Sequence, residues 1–152
     1  MALPINAGLF YKESEDMQGY NCIAVIHKNK TDWLMCRRLK DPYKGKLNLV
    51  GGKIEEGEEH LAAAYRELYE ETGISDNDIT LTRFLTFDYP LDNCYVEVYG
   101  GALESDIAVH GDENKLLWVS MGEDFFDPQK FAGEGNIGHM LEIMKLHFDI
   151  KV

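Results

Sequence analysis

The chain has 152 residues, enough for one domain with a sizeable core. It carries 27 acidic against 15 basic residues, a formal charge of -12. That balance argues against nucleic-acid polymers and anionic membranes as partners, and leaves room for a small anion carried with a divalent cation.

Residues 1–18 are poorly patterned and read as a lead-in to a core over about 20–148, within a single domain spanning 1–152. The start of the chain has no basic region and no apolar run of signal-peptide length, and no later stretch approaches a membrane span, so a cytoplasmic location is expected. Cys22, Cys36 and Cys94 are widely spaced in apolar surroundings and are expected to be reduced, buried thiols.

The first clear pattern is a β-hairpin. Tyr20–Ile26 and Trp33–Leu39 are rich in β-formers and flank the turn Lys28-Asn29-Lys30-Thr31. Its second strand carries Arg37 and Arg38 side by side, which a pleated strand sends to opposite faces. A turn-rich stretch then leads to a short strand, Leu47–Val50, stopped by Gly51 and Gly52.

A helix is predicted from near Glu58. Leu61, Ala64, Tyr65, Leu68 and Thr72 form its apolar stripe, and Gly73 is placed to end it in the left-handed conformation. A second hairpin follows, with Ile79–Phe87 and Cys94–Tyr99 joined through Tyr89-Pro90-Leu91-Asp92-Asn93. The acidic segment Glu104–Lys115 reads as a loop before a strand at Leu116–Ser120. A closing helix over about 137–148 packs Ile137, Met140, Leu141, Met144 and Phe148. Together these elements predict an α/β/α sandwich with a mixed sheet.

The chemistry concentrates on the first helix. Glu67, Glu70 and Glu71, at i, i+3 and i+4, share one flank beside the apolar stripe. Three such carboxylates repel one another, and the nearby base, Arg66, reaches Glu70 at i+4. The remaining charge suits Mg²⁺, a hard cation that takes oxygen ligands. A carbonyl of the Gly51-Gly52 loop adds a further oxygen, and Lys53 lies within reach of phosphates bound there. Metal, phosphate and water together suggest hydrolysis of a phosphoanhydride. The competing reading is a solvated acidic helix face.

From Gly52 to Ile74 the spacing resembles the Nudix box, G-x5-E-x7-R-E-U-x-E-E-x-G-U with U a bulky aliphatic, at every defined position. The resemblance to the Nudix hydrolase family implies its fold, with a largely antiparallel mixed sheet and a catalytic loop-helix-loop. It also implies metal-dependent hydrolysis of a nucleoside diphosphate linked to another group, with Mg²⁺ as cofactor and Mn²⁺ as the alternative. Carried onto matching positions, Glu67, Glu70 and Glu71 are the implied metal ligands, joined by the Gly51 carbonyl. Arg66 orients a glutamate, and Glu58 braces the loop by accepting backbone hydrogen bonds, with Gly52 and Gly73 as structural members of the box. An acid outside the box is often recruited; Glu113 is the first choice, with Glu97 and Asp112 behind it.

Within the family the chain looks most like the MutT-type branch acting on oxidised purine nucleoside triphosphates. Asn48, before Gly51-Gly52-Lys53, resembles the base-reading asparagine of the human-type enzymes, although Leu47 stands where those carry tryptophan. Trp118 resembles their base-stacking tryptophan, and Arg37 or Arg38 is a phosphate or base clamp. The loop Gly133-Glu134-Gly135-Asn136 opens the last helix and is a further candidate to meet ligand. The expected reaction converts a nucleoside triphosphate to monophosphate and pyrophosphate. ADP-ribose, nucleotide-sugar or dinucleoside polyphosphate hydrolysis is the alternative, and a non-catalytic nucleotide sensor a more distant one. The partner implied is a small nucleotide, and the resemblance is compatible with a homodimer.

Overall fold

The computed structural model describes residues 17–111 and 115–150. Strands β1 (Gln18–Ile26) and β2 (Asp32–Arg37) form the first hairpin, followed by the short β3 (Leu47–Asn48) and helix α1 (His60–Thr72). Next come β4 (Thr82–Tyr89), a single 3₁₀ turn at Pro90–Asp92, β5 (Cys94–Ala102), β6 (Lys115–Ser120) and helix α2 (Asn136–His147).

The β1–β2 hairpin is paired only at its closed end, where Ile26 faces Trp33. Beyond that point the two strands diverge and residues 47–53 fill the gap. On one side Asn48 pairs with Cys36 of β2; on the other Val50 bridges to Ile23 and Lys53 to Tyr20 of β1. The outer edge of β2 carries β6, antiparallel. β5 runs parallel to β1 along its length, and β4 pairs antiparallel with β5. One parallel pair among antiparallel neighbours makes the sheet mixed and largely antiparallel, as predicted.

Strand alternation divides the core between two faces. Ala24, Ile26, Trp33, Met35 and Val98 pack against Ile137, Met140, Leu141 and Met144 of α2. Ile23, Val25, Leu34, Val50 and Tyr99 pack against Ala64 and Leu68 of α1. Helices on opposite faces complete the α/β/α sandwich. Among the described residues, no helix is long and apolar enough to cross a membrane.

Several boundaries differ from the sequence-based expectation for physical reasons. Helix α1 starts at His60 because Glu59 caps it, its carboxylate accepting from the Leu61 and Ala62 N–H groups at 3.0 and 2.8 Å. Leu61 is 38% exposed, and Ala63 is buried instead. At that end of the helix the sheet presents Glu97, so contact runs through the polar His60. Ile79 and Leu81 are buried against α1 before the β4 ladder begins, so their alternation reports packing without strand pairing. β5 continues through Gly100 and Gly101, past the predicted end at Tyr99. Cys36 is buried and Cys22 and Cys94 are half-buried; all three are free thiols.

Leu68 is fully buried where α1 meets the sheet. Leu68→Ala should lower the unfolding free energy by about 2–5 kcal/mol, read from the denaturant midpoint at unchanged slope.

Candidate active site

The site is assembled where the inserted segment meets α1. Val50 turns its carbonyl to β1, accepting from Ile23 N–H at 2.8 Å, and the following Gly51 N–H points the other way, donating to Glu71 Oε2 at 3.0 Å. Gly52 turns back to β1. Its N–H donates to Asn21 Oδ1 at 3.1 Å and its carbonyl accepts from the Asn21 backbone N–H at 2.8 Å.

Side chains are excluded at both glycines. A Cβ on Gly51, which sits at φ 151°, would collide with the Asn21 carbonyl, and one on Gly52 would occupy the space of the Glu67 carboxylate. Glu67 and Glu71 therefore lie against the two glycines, and Glu70 is more exposed, at 57% for its side chain.

Arg66 ties the loop to the helix. Its Nε and Nη2 donate to both oxygens of Glu58 at 2.7 and 2.9 Å, a bidentate pair, and Nη2 also donates to the Lys53 carbonyl at 3.0 Å. Nη1 donates to Glu67 at 2.9 Å and Glu70 at 3.3 Å. Glu58 also accepts from the Glu55 N–H at 3.1 Å, so it braces the loop through both a backbone and a side-chain donor.

The charges follow the contacts. The hydrogen bond from Arg66 holds the Glu58 carboxyl down at about 2, and that bond raises the guanidinium further above its ordinary range. Burial pushes the Glu67 carboxyl above the usual glutamate value, against the pull of Arg66. Every donor atom gathered here is oxygen, the choice of hard cations. Among the described residues, no three His, Cys, Asp or Glu side chains are already closed into a metal cage. Glu67 and Glu70 instead rest on Arg66, and Glu71 on Gly51.

A cavity of about 350 Å³ opens beside Glu71 and both glycines, lined also by Arg38, Tyr43, Asn48, Tyr89 and Asn136. Asn48 Oδ1 accepts from the Leu49 N–H at 2.9 Å, which leaves its amino group as the donor end. Asn136 Nδ2 donates to the Tyr89 hydroxyl at 2.7 Å, and Arg38 Nε donates to the Pro42 carbonyl at 2.6 Å.

The structure does not bring every candidate to this cavity. Arg37, bonded to the Gly45 carbonyl at 2.9 Å, and Trp118 line a separate groove with Lys130 and Phe131. Trp118 also meets His27 edge-on, with ring centres 4.8 Å apart. Lys53 is exposed and does not line the cavity. Glu97 is buried at 2% exposure, held by His60, by the Tyr99 hydroxyl at 2.9 Å and by Arg83 at 3.5 Å. Glu113 and Asp112 lie outside the described residues. Gly73 caps α1 at φ 80°, its N–H donating to the Tyr69 carbonyl at 2.9 Å. Asn21, Tyr43 and Tyr89 were not singled out from sequence, since nothing in their local pattern separates them from ordinary strand and turn residues.

A folded-state pKa of about 2 for Glu58, against an ordinary 4.5, means that its contribution to stability is complete above 4.5 and lost as pH falls through 2. The difference in melting temperature between the wild type and Glu58→Gln should therefore be widest near neutrality and close across that acid window.

The NUDIX domain family profile matches residues 17–134. The chain is 35% identical to the 8-oxo-dGTP diphosphatase of Escherichia coli K12 over 128 residues, 84% of this chain and 82% of that protein. The C. elegans Ap4A hydrolase shares the fold at a TM-score of 0.70, with 17% identity over 87% of this chain and 98% of the other. So does the NUDIX domain of Shewanella oneidensis NrtR, solved with ADP ribose, at 0.69, with 15% identity and 87% and 88% covered. With the whole box in place on a loop and helix of matching architecture, the chain belongs to the Nudix hydrolase family, on its MutT-like side.

Proposed function

We propose that the chain is a Mg²⁺-dependent nucleoside triphosphate pyrophosphohydrolase with an oxidised purine nucleotide as its preferred substrate; Mn²⁺ is the alternative cation. The observation that carries the reading is the junction of two features: the carboxylate-lined glycine turn opens directly into a cavity walled by Arg38, Asn48 and Asn136. The first suits a metal–phosphate group, the second a nucleobase. The 35% identity to the Escherichia coli 8-oxo-dGTP diphosphatase supports the same choice.

Glu67, Glu70, Glu71 and the Gly51 carbonyl fit a divalent cation, being hard oxygen donors on adjoining loop and helix. When bound, the cation neutralises phosphate charge and acidifies water. The protein's own part is positioning. Arg66 fixes the loop against the helix and holds Glu67 and Glu70, and Gly52 lets the Glu67 carboxylate approach the backbone. Water adds to a phosphorus, the α–β phosphoanhydride bond opens, and monophosphate and pyrophosphate leave. At the base, the Asn48 amino group and the Arg38 guanidinium offer donors, and the Tyr43 and Tyr89 rings offer apolar faces. Arg37, Trp118 and Lys53 have no part in this version of the pocket. A cytoplasmic location accords with a substrate drawn from the free nucleotide pool.

A panel of oxidised and normal deoxynucleoside triphosphates, ADP-ribose and diadenosine polyphosphates, assayed with Mg²⁺ for phosphate and pyrophosphate release, tests the substrate. The highest kcat/KM should fall on an oxidised purine triphosphate. Preference for a dinucleotide would overturn the choice, and no turnover at all would favour a nucleotide sensor.

Two variant tests address the residues. Glu71→Gln should lower kcat by about two to three factors of ten while leaving the melting temperature close to that of the wild type. Arg38→Ala should raise KM about tenfold and Arg37→Ala should leave it nearly unchanged; equal effects would remove Arg38 from the pocket.

A further inference from the structure

We infer that Asn21 is a positioning residue that sets the direction of the Gly51 carbonyl, and through it the affinity of the site for a divalent cation. The argument is stereochemical. The Gly51 C=O and the Gly52 N–H belong to one peptide group, and outside Asp41–Pro42 the described peptide bonds are trans. In a planar trans peptide these two groups point in opposite directions. Asn21 Oδ1 holds the Gly52 N–H at 3.1 Å, so the Gly51 carbonyl is turned away from β1, toward the edge where Glu71 holds the Gly51 N–H at 3.0 Å.

The assignment of the amide is secure, because a backbone N–H only donates and its partner must be the oxygen. Three of the four polar groups of the two glycines are thereby fixed, by Glu71 and by the side chain and backbone of Asn21. Among the described residues, no hydrogen bond reaches the fourth, the Gly51 carbonyl.

Asn21 is not explained by stability. It is 3% exposed and its Nδ2 is buried with no partner among the described residues, an arrangement that leaves the desolvation of a donor uncompensated. Its neighbour in register on β5 is the buried Glu97. An apolar residue would fill this strand position without that penalty. It would also leave a Gly-Gly peptide, the most permissive pair of residues, without the contact that stops it from flipping.

The inference rests on the cation binding beside Glu67 and Glu71, and does not depend on which nucleotide is cut. Mn²⁺ binding to the full chain, measured by titration calorimetry without nucleotide, tests it. Asn21→Leu should weaken Mn²⁺ about tenfold, whereas Asn21→Asp, which keeps an acceptor oxygen in either protonation state, should stay within about threefold of the wild type. Wild-type affinity in Asn21→Leu, or equal losses in the two variants, would overturn the role.

A measurement on the wild type covers the case in which a variant fails to fold. With glycine labelled in both ¹³C′ and ¹⁵N, the Gly-Gly pairs are Gly51-Gly52 and Gly100-Gly101, so the Gly51 carbonyl can be identified through its coupling to the Gly52 nitrogen. Substoichiometric Mn²⁺ should broaden that carbonyl before the Gly52 carbonyl; the reverse order, or no broadening of either, sinks the inference. If the substrate panel gives no turnover while Mn²⁺ still obeys these expectations, the substrate reading fails and the role of Asn21 stands.

Discussion

Residues 47–53 occupy a gap between two strands that have parted, and the rest of the site depends on that insertion. β1 and β2 share one paired position at their closed end and then leave room for another segment. An extended segment between two strands must alternate its polar groups between them. Val50 and Gly52 face β1, and Gly51, between them, faces the other way. Its N–H therefore reaches Glu71, and a helix one layer above the sheet is tied to a strand within it. A side chain at Gly51 would collide with the Asn21 carbonyl and one at Gly52 with the Glu67 carboxylate, so the paired glycines are required by space as well as by conformation.

Two buried polar residues on the same sheet face hold the ends of the loop that follows. Asn21 grips Gly52 where the loop begins, and Glu97, beside it in register, holds His60 where the helix begins. Between these anchors Arg66 closes the span by reaching Lys53 and Glu58 from the helix. A loop fixed at both ends and at its middle loses little further entropy when a ligand arrives, which is the physical content of preorganisation. Buried polar groups are costly in an otherwise apolar face, and their position under the loop, away from the centre of the core, fits a role in geometry.

The sequence made the elements and the box legible because both are local. Periods of two and of 3.6 residues are written in neighbouring residues, and so is the spacing of Arg66, Glu67, Glu70 and Glu71. Contacts between distant residues were not legible in the same way. Asn21 and Gly52 lie 31 positions apart, and their bond exists only because two strands diverge. Arg37 and Arg38 show the limit clearly: alternation says that they face opposite ways, but which one reaches the cavity depends on where β3 and the glycine turn pack. Leu61 lies at the apolar angle of its helix yet ends exposed, because the sheet opposite it carries Glu97, and no helical pattern contains that information.

Charge links the local geometry to the composition of the chain. Arg66 is one guanidinium set against Glu58, Glu67 and Glu70, and it commits its bidentate edge to Glu58. A pair of that geometry is the strongest the side chain can make, so the Glu58 carboxyl is held well below the usual carboxylate range, while burial raises that of Glu67 against the pull of Arg66. The loop therefore takes most of the positive charge of Arg66, and the helix flank keeps an excess of carboxylate oxygens of the kind that hard divalent cations favour. Replacing Arg66 with a neutral residue would end the competition but release the loop from the helix. Arg66 thus serves the rigidity of the loop first, and the carboxylates of the helix flank keep a net negative charge.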